Sequence, residues 1–186
     1  EDVKSEFSRI DDYLASLELK VTIFKNDESL ISRMSQMTQK TNQFNLTTRR
    51  YTESEIKNMV LSSNIDVFAF SLKDKFGDYG VTGLCIINLH EKNIAVIDNF
   101  LLSCRVIGRS VEYVFMDFIV NSLTKINFKK IKSEFVKTKK NMQVEKFYEK
   151  CSFGHLKVEG LTRYYKLDIC DFKKSGINYI EVIRNG

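Results

Sequence analysis

Proline and tryptophan are absent from the 186 residues, and histidine occurs only twice. His90 and His155 lie far apart in the chain with no ligand spacing around them, so no metal site is expected. No apolar run approaches the roughly 20 residues that a membrane helix needs, and no membrane partner is expected. Excess charge is scarce too. The formal net charge of +5 is too small to argue for nucleic acid, although it suits a phosphate-bearing small ligand or an acidic partner protein. Repeats, low-complexity tracts and linkers are missing. The four cysteines, Cys85, Cys104, Cys151 and Cys170, show no C-x-x-C spacing, and three sit in apolar contexts. Reduced thiols in a cytoplasmic protein fit this usage better than a disulfide framework. The opening EDVKSEFSR is not a signal peptide and lacks a Met. The chain is therefore expected to be a domain cut from something longer. Residues 1–18 read as a linker-like helix leading in, and 19–186 as a single domain.

What is present is an ordinary globular mix, 43% hydrophobic and 28% charged. Phe7, Ile10, Leu14 and Leu17 have helical spacing over 5–17. Residues 19–24 alternate and are rich in β-branched side chains, as a strand would be. A helix is expected over 29–39, with Leu30, Met34 and Met37 on one face. Thr52 and Glu55 have capping-box spacing and open a helix to about Leu61. Strands at 67–72, 81–89 and 94–102 read as an antiparallel meander. A helix follows with Val111, Val114, Phe115, Phe118 and Ile119 as its apolar stripe. A strand at 130–136, a short helix at 141–150 and strands at 161–169 and 179–183 complete the chain. The order β-α-α-β-β-β-α-β-α-β-β predicts an α/β (α+β) fold: a mixed, mostly antiparallel sheet flanked by helices.

The stretch FLLSCRVIGRSVEYVF, residues 100–115, breaks an apolar run and starts the long helix. The first turn of a helix carries unpaired N–H groups and a partial positive charge, so it can hold phosphate. Gly108 would let the backbone approach closely, and Arg105 and Arg109 add charge. The plainer reading is a strand-to-helix turn with solvated arginines. The spacing R-x-x-G-x-(G/A) resembles the acyl-CoA pyrophosphate loop of the GNAT acyltransferases, with Ser110 in the last position. Asn141 through Phe153 resembles that family's N-x3-A-x2-FY-x2-GF signature, with Val144 and Ser152 replacing the usual alanine and glycine. This resemblance implies a GNAT-like fold. It also implies that Arg105, Val106, Ile107, Gly108, Arg109, Ser110 and Asn141 bind a cofactor, either CoA or a carrier protein's phosphopantetheine. In that family the strands flanking the long helix splay apart. The pantetheine arm enters the gap and bonds the first strand's backbone, and the tyrosine matching Tyr148 can protonate the leaving thiolate. Phe147 reads as packing.

The segment Gln39-Lys40-Thr41-Asn42-Gln43-Phe44-Asn45-Leu46-Thr47-Thr48-Arg49-Arg50-Tyr51 is unusually polar between two amphipathic helices. A solvated connection is the plain reading. It resembles a box of FkbH-like proteins, and further matches at 12–20, 76–80 and 97–112 extend the resemblance over roughly residues 10–170. Those proteins join an N-terminal HAD-type domain to a C-terminal GNAT-like domain. They are associated with loading a glyceryl unit onto an acyl carrier protein. The resemblance implies a carrier protein and a HAD-type domain as partners. No HAD aspartate motif is present, so no phosphatase centre is expected here. Asn42, Gln43 and Asn45 would read hydroxyls or a carboxylate of a small substrate. Lys129, Lys130, Lys132, Lys137, Lys139 and Lys140 would suit an acidic carrier, or form a solvated strand and loop.

Asp98 interrupts an apolar strand, where a carboxylate must be paired or face a cleft. Alternation places it with Val96 and Phe100, as a candidate base or substrate orienter; the rival is a structural partner for Arg105 or a backbone amide. Cys104 sits beside Arg105 near a helix start, where a lowered thiol pKa and a thioester relay are conceivable. A buried structural cysteine is the preferred reading. An acetyl-CoA-dependent N-acetyltransferase and a non-catalytic carrier-docking module stand as alternatives.

Overall fold

The computed structural model describes residues 2–185, with side chains from Arg9 onward. Phe7 of the expected first helix lies outside the described side chains. That helix, α1, spans Asp2–Ala15. Its end joins the core, where Leu14 and Leu17 are buried and Lys75 donates to the Leu17 carbonyl.

Strand β1 (Lys20–Lys25) leads to α2 (Ile31–Lys40), a two-residue strand β2 (Phe44–Asn45) and α3 (Glu53–Val60). The expected capping box forms at Thr52 and Glu55. Strands β3 (Ile65–Asp74), β4 (Gly77–Glu91) and β5 (Ile94–Leu102) make the meander. The β3–β4 hairpin is longer than expected. Gly80 has a positive φ inside β4, and register shifts at Ser71 let the ladder continue to Asp74–Gly77. Helix α4 (Val111–Lys125) buries the expected stripe except Phe118, which is half-buried, and also Met116, Val120 and Leu123. Then follow β6 (Lys130–Val136), the one-turn α5 (Phe147–Lys150), β7 (Gly154–Glu159), β8 (Thr162–Asp168) and β9 (Glu181–Arg184). Sequence reading missed β2 and β7. The first is only two residues long, and β7 is an exposed edge strand with no buried face to impose alternation.

Among the described residues the sheet runs β7-β8-β6-β5-β4-β3-β1-β9, with β2 paired to β5. The β5–β6 and β1–β9 pairs are parallel and the rest antiparallel. Helices cover both faces. One core packs α1, α4 and α5 against the sheet around Phe100, Phe115, Phe135 and Tyr148. The smaller core on the other face joins Met34, Met37, Ile56 and Val60 to Val67, Leu84 and Leu101.

Candidate functional site

The parallel pair β5–β6 is short. Ile94, Ala95 and Val96 face Lys130, Ile131 and Lys132, and beyond them the strands part. The parting begins at a bulge: Ile97 faces Ile87 and Asn99 faces Ile86, so Asp98 is an extra residue. The bulge reverses which face each later residue occupies. Asp98 therefore stays with Val96, but Phe100 turns to the α4 face, which corrects the simple alternation expected for this strand.

The gap is not open. Strand β2 lies in it, with Phe44 opposite Leu102 and Asn45 opposite Leu101. Leu46 N–H donates to the Phe100 carbonyl at 3.1 Å, and Val136 N–H on β6 donates to the Leu46 carbonyl at 2.8 Å. The polar box of residues 39–51 is thus partly a strand that closes the sheet. Its amides explain how. Asn141, fully buried, donates to the carbonyls of Asn45 (2.9 Å) and Val136 (3.0 Å) and accepts from Thr138 N–H (2.8 Å). Asn45, equally buried, donates to the Thr41 carbonyl and accepts from Thr48 N–H. Both side chains are committed to backbone groups that would otherwise be buried unpaired. Neither is available to a ligand, contrary to the roles expected for them.

Asp98 is also committed. Arg49 donates to its carboxylate (2.9 Å) and carbonyl (2.8 Å), and Tyr51 donates its hydroxyl to the other oxygen at 2.5 Å. Arg49 also reaches Glu134 on β6. The partner is Arg49, not Arg105. Burial and the Asp98 carboxylate push the Tyr51 phenol well above its ordinary value. This cluster clamps the start of α3 over the bulge. Thr47, donating to the Asp98 carbonyl at 3.0 Å, belongs to the same clamp.

The loop before α4 has the expected shape. Gly108 (φ +85) and Ser110 (φ 60) take left-handed backbone, which glycine tolerates best. Val106 is buried and anchors the loop, and Ile107 is half-buried. The two arginines diverge. Arg109 turns away to Asp74, at 2.6 Å, and stacks on Tyr79 with its guanidinium carbon 4.3 Å from the ring centroid. It staples the β3–β4 hairpin to α4 and does not line the loop's mouth, which corrects its expected cofactor role. Arg105 is exposed on the other side.

Two clefts flank this loop. The first, about 190 Å³, lies between Gly108 and the segment 143–150, and Phe44 and Phe147 are among its lining residues. Phe147 packs as expected, 5.3 Å from the Phe44 ring and 4.9 Å from that of Phe100. Lys146 and Lys150 supply positive charge here, but so does Glu112 supply an acid. Glu112 is 9% exposed and its Oε2 has no hydrogen-bond partner. Burial raises its pKa, against the pull of its own backbone N–H and Lys150. Burial also lifts the Tyr113 phenol to about 12. Sequence reading missed Glu112. The available signal was an acid two residues after Ser110, inside the turn expected to receive a phosphate.

Tyr148 lies beneath the sheet at 1% exposure, ringed by Phe147, Phe153 and Tyr165. Its hydroxyl has no hydrogen-bond partner, and burial drives its pKa far up. The second cleft, about 350 Å³, lies on the α2 side of the loop. It gathers Arg105, Asn42 and Gln43 with Arg33, Lys40 and Cys104. Cys104 is exposed rather than buried, because the short turn at Cys104–Val106 points only Val106 inward. Of the lysine run, Lys130, Lys132 and Lys137 pair with Asp168, Glu91 and Glu145. No cluster of three metal-ligating side chains occurs among the described residues. No described helix is long and apolar enough to cross a membrane.

No family model matches the chain, and no curated protein matches it. Solved structures do. The PaiA N-acetyltransferase from Thermoplasma acidophilum, in complex with coenzyme A, superposes with TM-score 0.65 at 12% identity over 80% of this chain and 98% of that one. The ribosomal-protein-S18-alanine N-acetyltransferase from Escherichia coli gives TM-score 0.61 at 12% identity, covering 85% and 99%. A GNAT-family acetyltransferase from Staphylococcus aureus gives 0.61 at 10%, covering 80% and 99%. The chain has the GNAT acyltransferase fold, a mixed sheet flanked by helices.

Proposed function

We propose that this chain is an acyl-transfer domain that engages a phosphopantetheine thioester and helps move a glyceryl or similar acyl group onto an acyl carrier protein. It would act beside a HAD-type domain of an FkbH-like parent. The observation that carries this reading is the parting of β5 and β6 at the Asp98 bulge, next to a glycine loop that opens α4. CoA and a carrier's prosthetic arm share the same thiol end, so either donor is admitted. The phosphate end of the arm rests in the cleft between Gly108 and Lys146–Lys150. The thioester reaches the β5 edge only after β2 leaves Leu101 and Leu102. Tyr148 keeps its proton at neutral pH and is the donor to the departing thiolate in this reading, a role that requires its hydroxyl to come free of Phe147, Phe153 and Tyr165.

A second reading follows from β2 itself. With the gap filled, the domain serves as a non-catalytic docking module for the carrier. An acetyl-CoA N-acetyltransferase is the third, consistent with the activities named for the structural neighbours.

Titration with CoA, acetyl-CoA and a phosphopantetheinylated carrier separates these readings when combined with hydrogen exchange at the Leu46 and Val136 amides. Arm-dependent binding with faster exchange at both amides supports the proposal. Carrier binding that persists without the arm, with both amides still protected, supports docking. Acetyl transfer to an amine supports the third reading. No binding by any of the three ligands would sink both enzymatic readings.

A further inference from the structure

The cleft on the α2 side of the loop differs from its neighbour in charge. Arg33, Lys40 and Arg105 line its 350 Å³ together with Gln36, Asn42 and Gln43, and no carboxylate lines it. None of the three cations forms a salt bridge among the described residues. Arg33 is built in. Its Nε and one terminal nitrogen donate to the Val81 carbonyl at 3.1 and 3.0 Å, and the other holds Gln36. Those partners are neutral, so the guanidinium is fixed in place without its charge being offset. Among the described residues the only hydrogen bond of Arg105 is a long one, 3.4 Å from Nε to Ser103, and neither terminal nitrogen has a partner there. Burial and the nearby Arg105 both lower the Arg33 pKa. A concave site that holds like charges together, one of them immobilised, is stabilised by whatever anion neutralises them. The surface lysines of β6, by contrast, find carboxylates of their own.

We infer that this cleft is a binding site for a small oxyanion, the phosphate or carboxylate end of an organic acid, held by Arg33, Lys40 and Arg105 and distinct from the thioester cleft. The two clefts touch the same loop from opposite sides. Ser103–Arg105 line one, Ile107 and Gly108 the other, and Gln43 and Phe44 fall one on each side. An acid bound here would lie against the start of β2.

Cys104 is a reporter already in place, since it lines this cleft and is exposed. Cys170 is exposed elsewhere, and Cys85 and Cys151 are buried. Alkylation of the intact chain by anionic iodoacetate and neutral iodoacetamide, followed by peptide mass spectrometry, compares the two exposed thiols. The iodoacetate-to-iodoacetamide rate ratio should be several-fold higher at Cys104 than at Cys170. Millimolar inorganic phosphate or acetate should reduce it saturably, and which of the two does so at lower concentration assigns the oxyanion. Lys40→Ala with Arg105→Ala should collapse the ratio to that of Cys170, while Lys157→Ala should not change it. Equal ratios at the two thiols, or a ratio untouched by the double substitution in a chain that keeps its melting temperature, would overturn the assignment. Neither result bears on the thioester titration above, so the two proposals fail separately.

Discussion

Glu112 shows how much a single residue's surroundings decide. On an exposed helix its carboxylate would be a favourable first-turn acid. Here it is buried with one oxygen unpartnered, lining the cleft proposed to take the arm's phosphate end. Its raised folded-state pKa means that folding takes up a proton between the ordinary glutamate value of about 4.3 and the raised value. The group therefore costs nothing below about pH 4, and erodes stability as pH rises through its folded value. Glu112→Gln should stabilise the protein at neutral pH by on the order of 1 kcal/mol, with the gain vanishing at pH 4. Urea unfolding of both proteins at pH 4 and pH 7 measures this, and equal differences at the two pH values would contradict it. Arg109 teaches the same lesson with the opposite charge. Its partners, Asp74 and Tyr79, lie about thirty residues upstream, and only the hairpin brings them within reach.

At the scale of elements, β2 is two residues long yet decides whether the sheet is open. A strand so short cannot hold itself in place, and three amide side chains secure it. Asn141 bridges β2 to β6, Asn45 folds the turn before and after it, and Asn99 donates to the Arg49 carbonyl. Asn141→Ala leaves two buried carbonyls and the Thr138 N–H without their partner. It should cost roughly 2–4 kcal/mol in unfolding free energy. If thioester entry requires β2 to leave, the same substitution should also tighten binding of CoA or of the pantetheinylated carrier, because part of the opening cost has been removed. Calorimetry on the folded variant tests this. Weaker binding would mean that β2 forms part of the binding surface rather than a barrier to it.

For the whole molecule, the helix leading in is tied to the body. Leu14 and Leu17 are each less than 5% exposed within the larger core, and the Leu17 carbonyl accepts from the β3–β4 turn. Deleting residues 1–18 strips two leucines from that core and should destabilise the remainder by about 3 kcal/mol or more. A truncated chain with unchanged thermal stability would instead show that residues 1–18 act only as a linker.

Periodicity, capping residues and turn chemistry determined most of this protein without reference to its tertiary structure. The α4 stripe, the Thr52–Glu55 box and the meander were legible because each is written within a few consecutive residues. So was the strand-to-helix loop around Gly108, whose left-handed φ is a local requirement. The site was less legible because its contacts are long-range. The same loop that reads as one anion site borders two clefts, one lined by Arg105 and the other by Gly108, while Arg109 turns to Asp74 and lines neither. Asn45 and Asn141, chemically suited to hold a ligand, hold backbone instead: Asn141 reaches the Asn45 carbonyl across 96 residues, and Asn45 ties its own turn from Thr41 to Thr48. Asp98 keeps its place in the strand while a bulge turns Phe100 to the opposite face. Hydrogen bonds and charges are satisfied by whichever partner the fold brings near, and only the tertiary structure decides which partner that is.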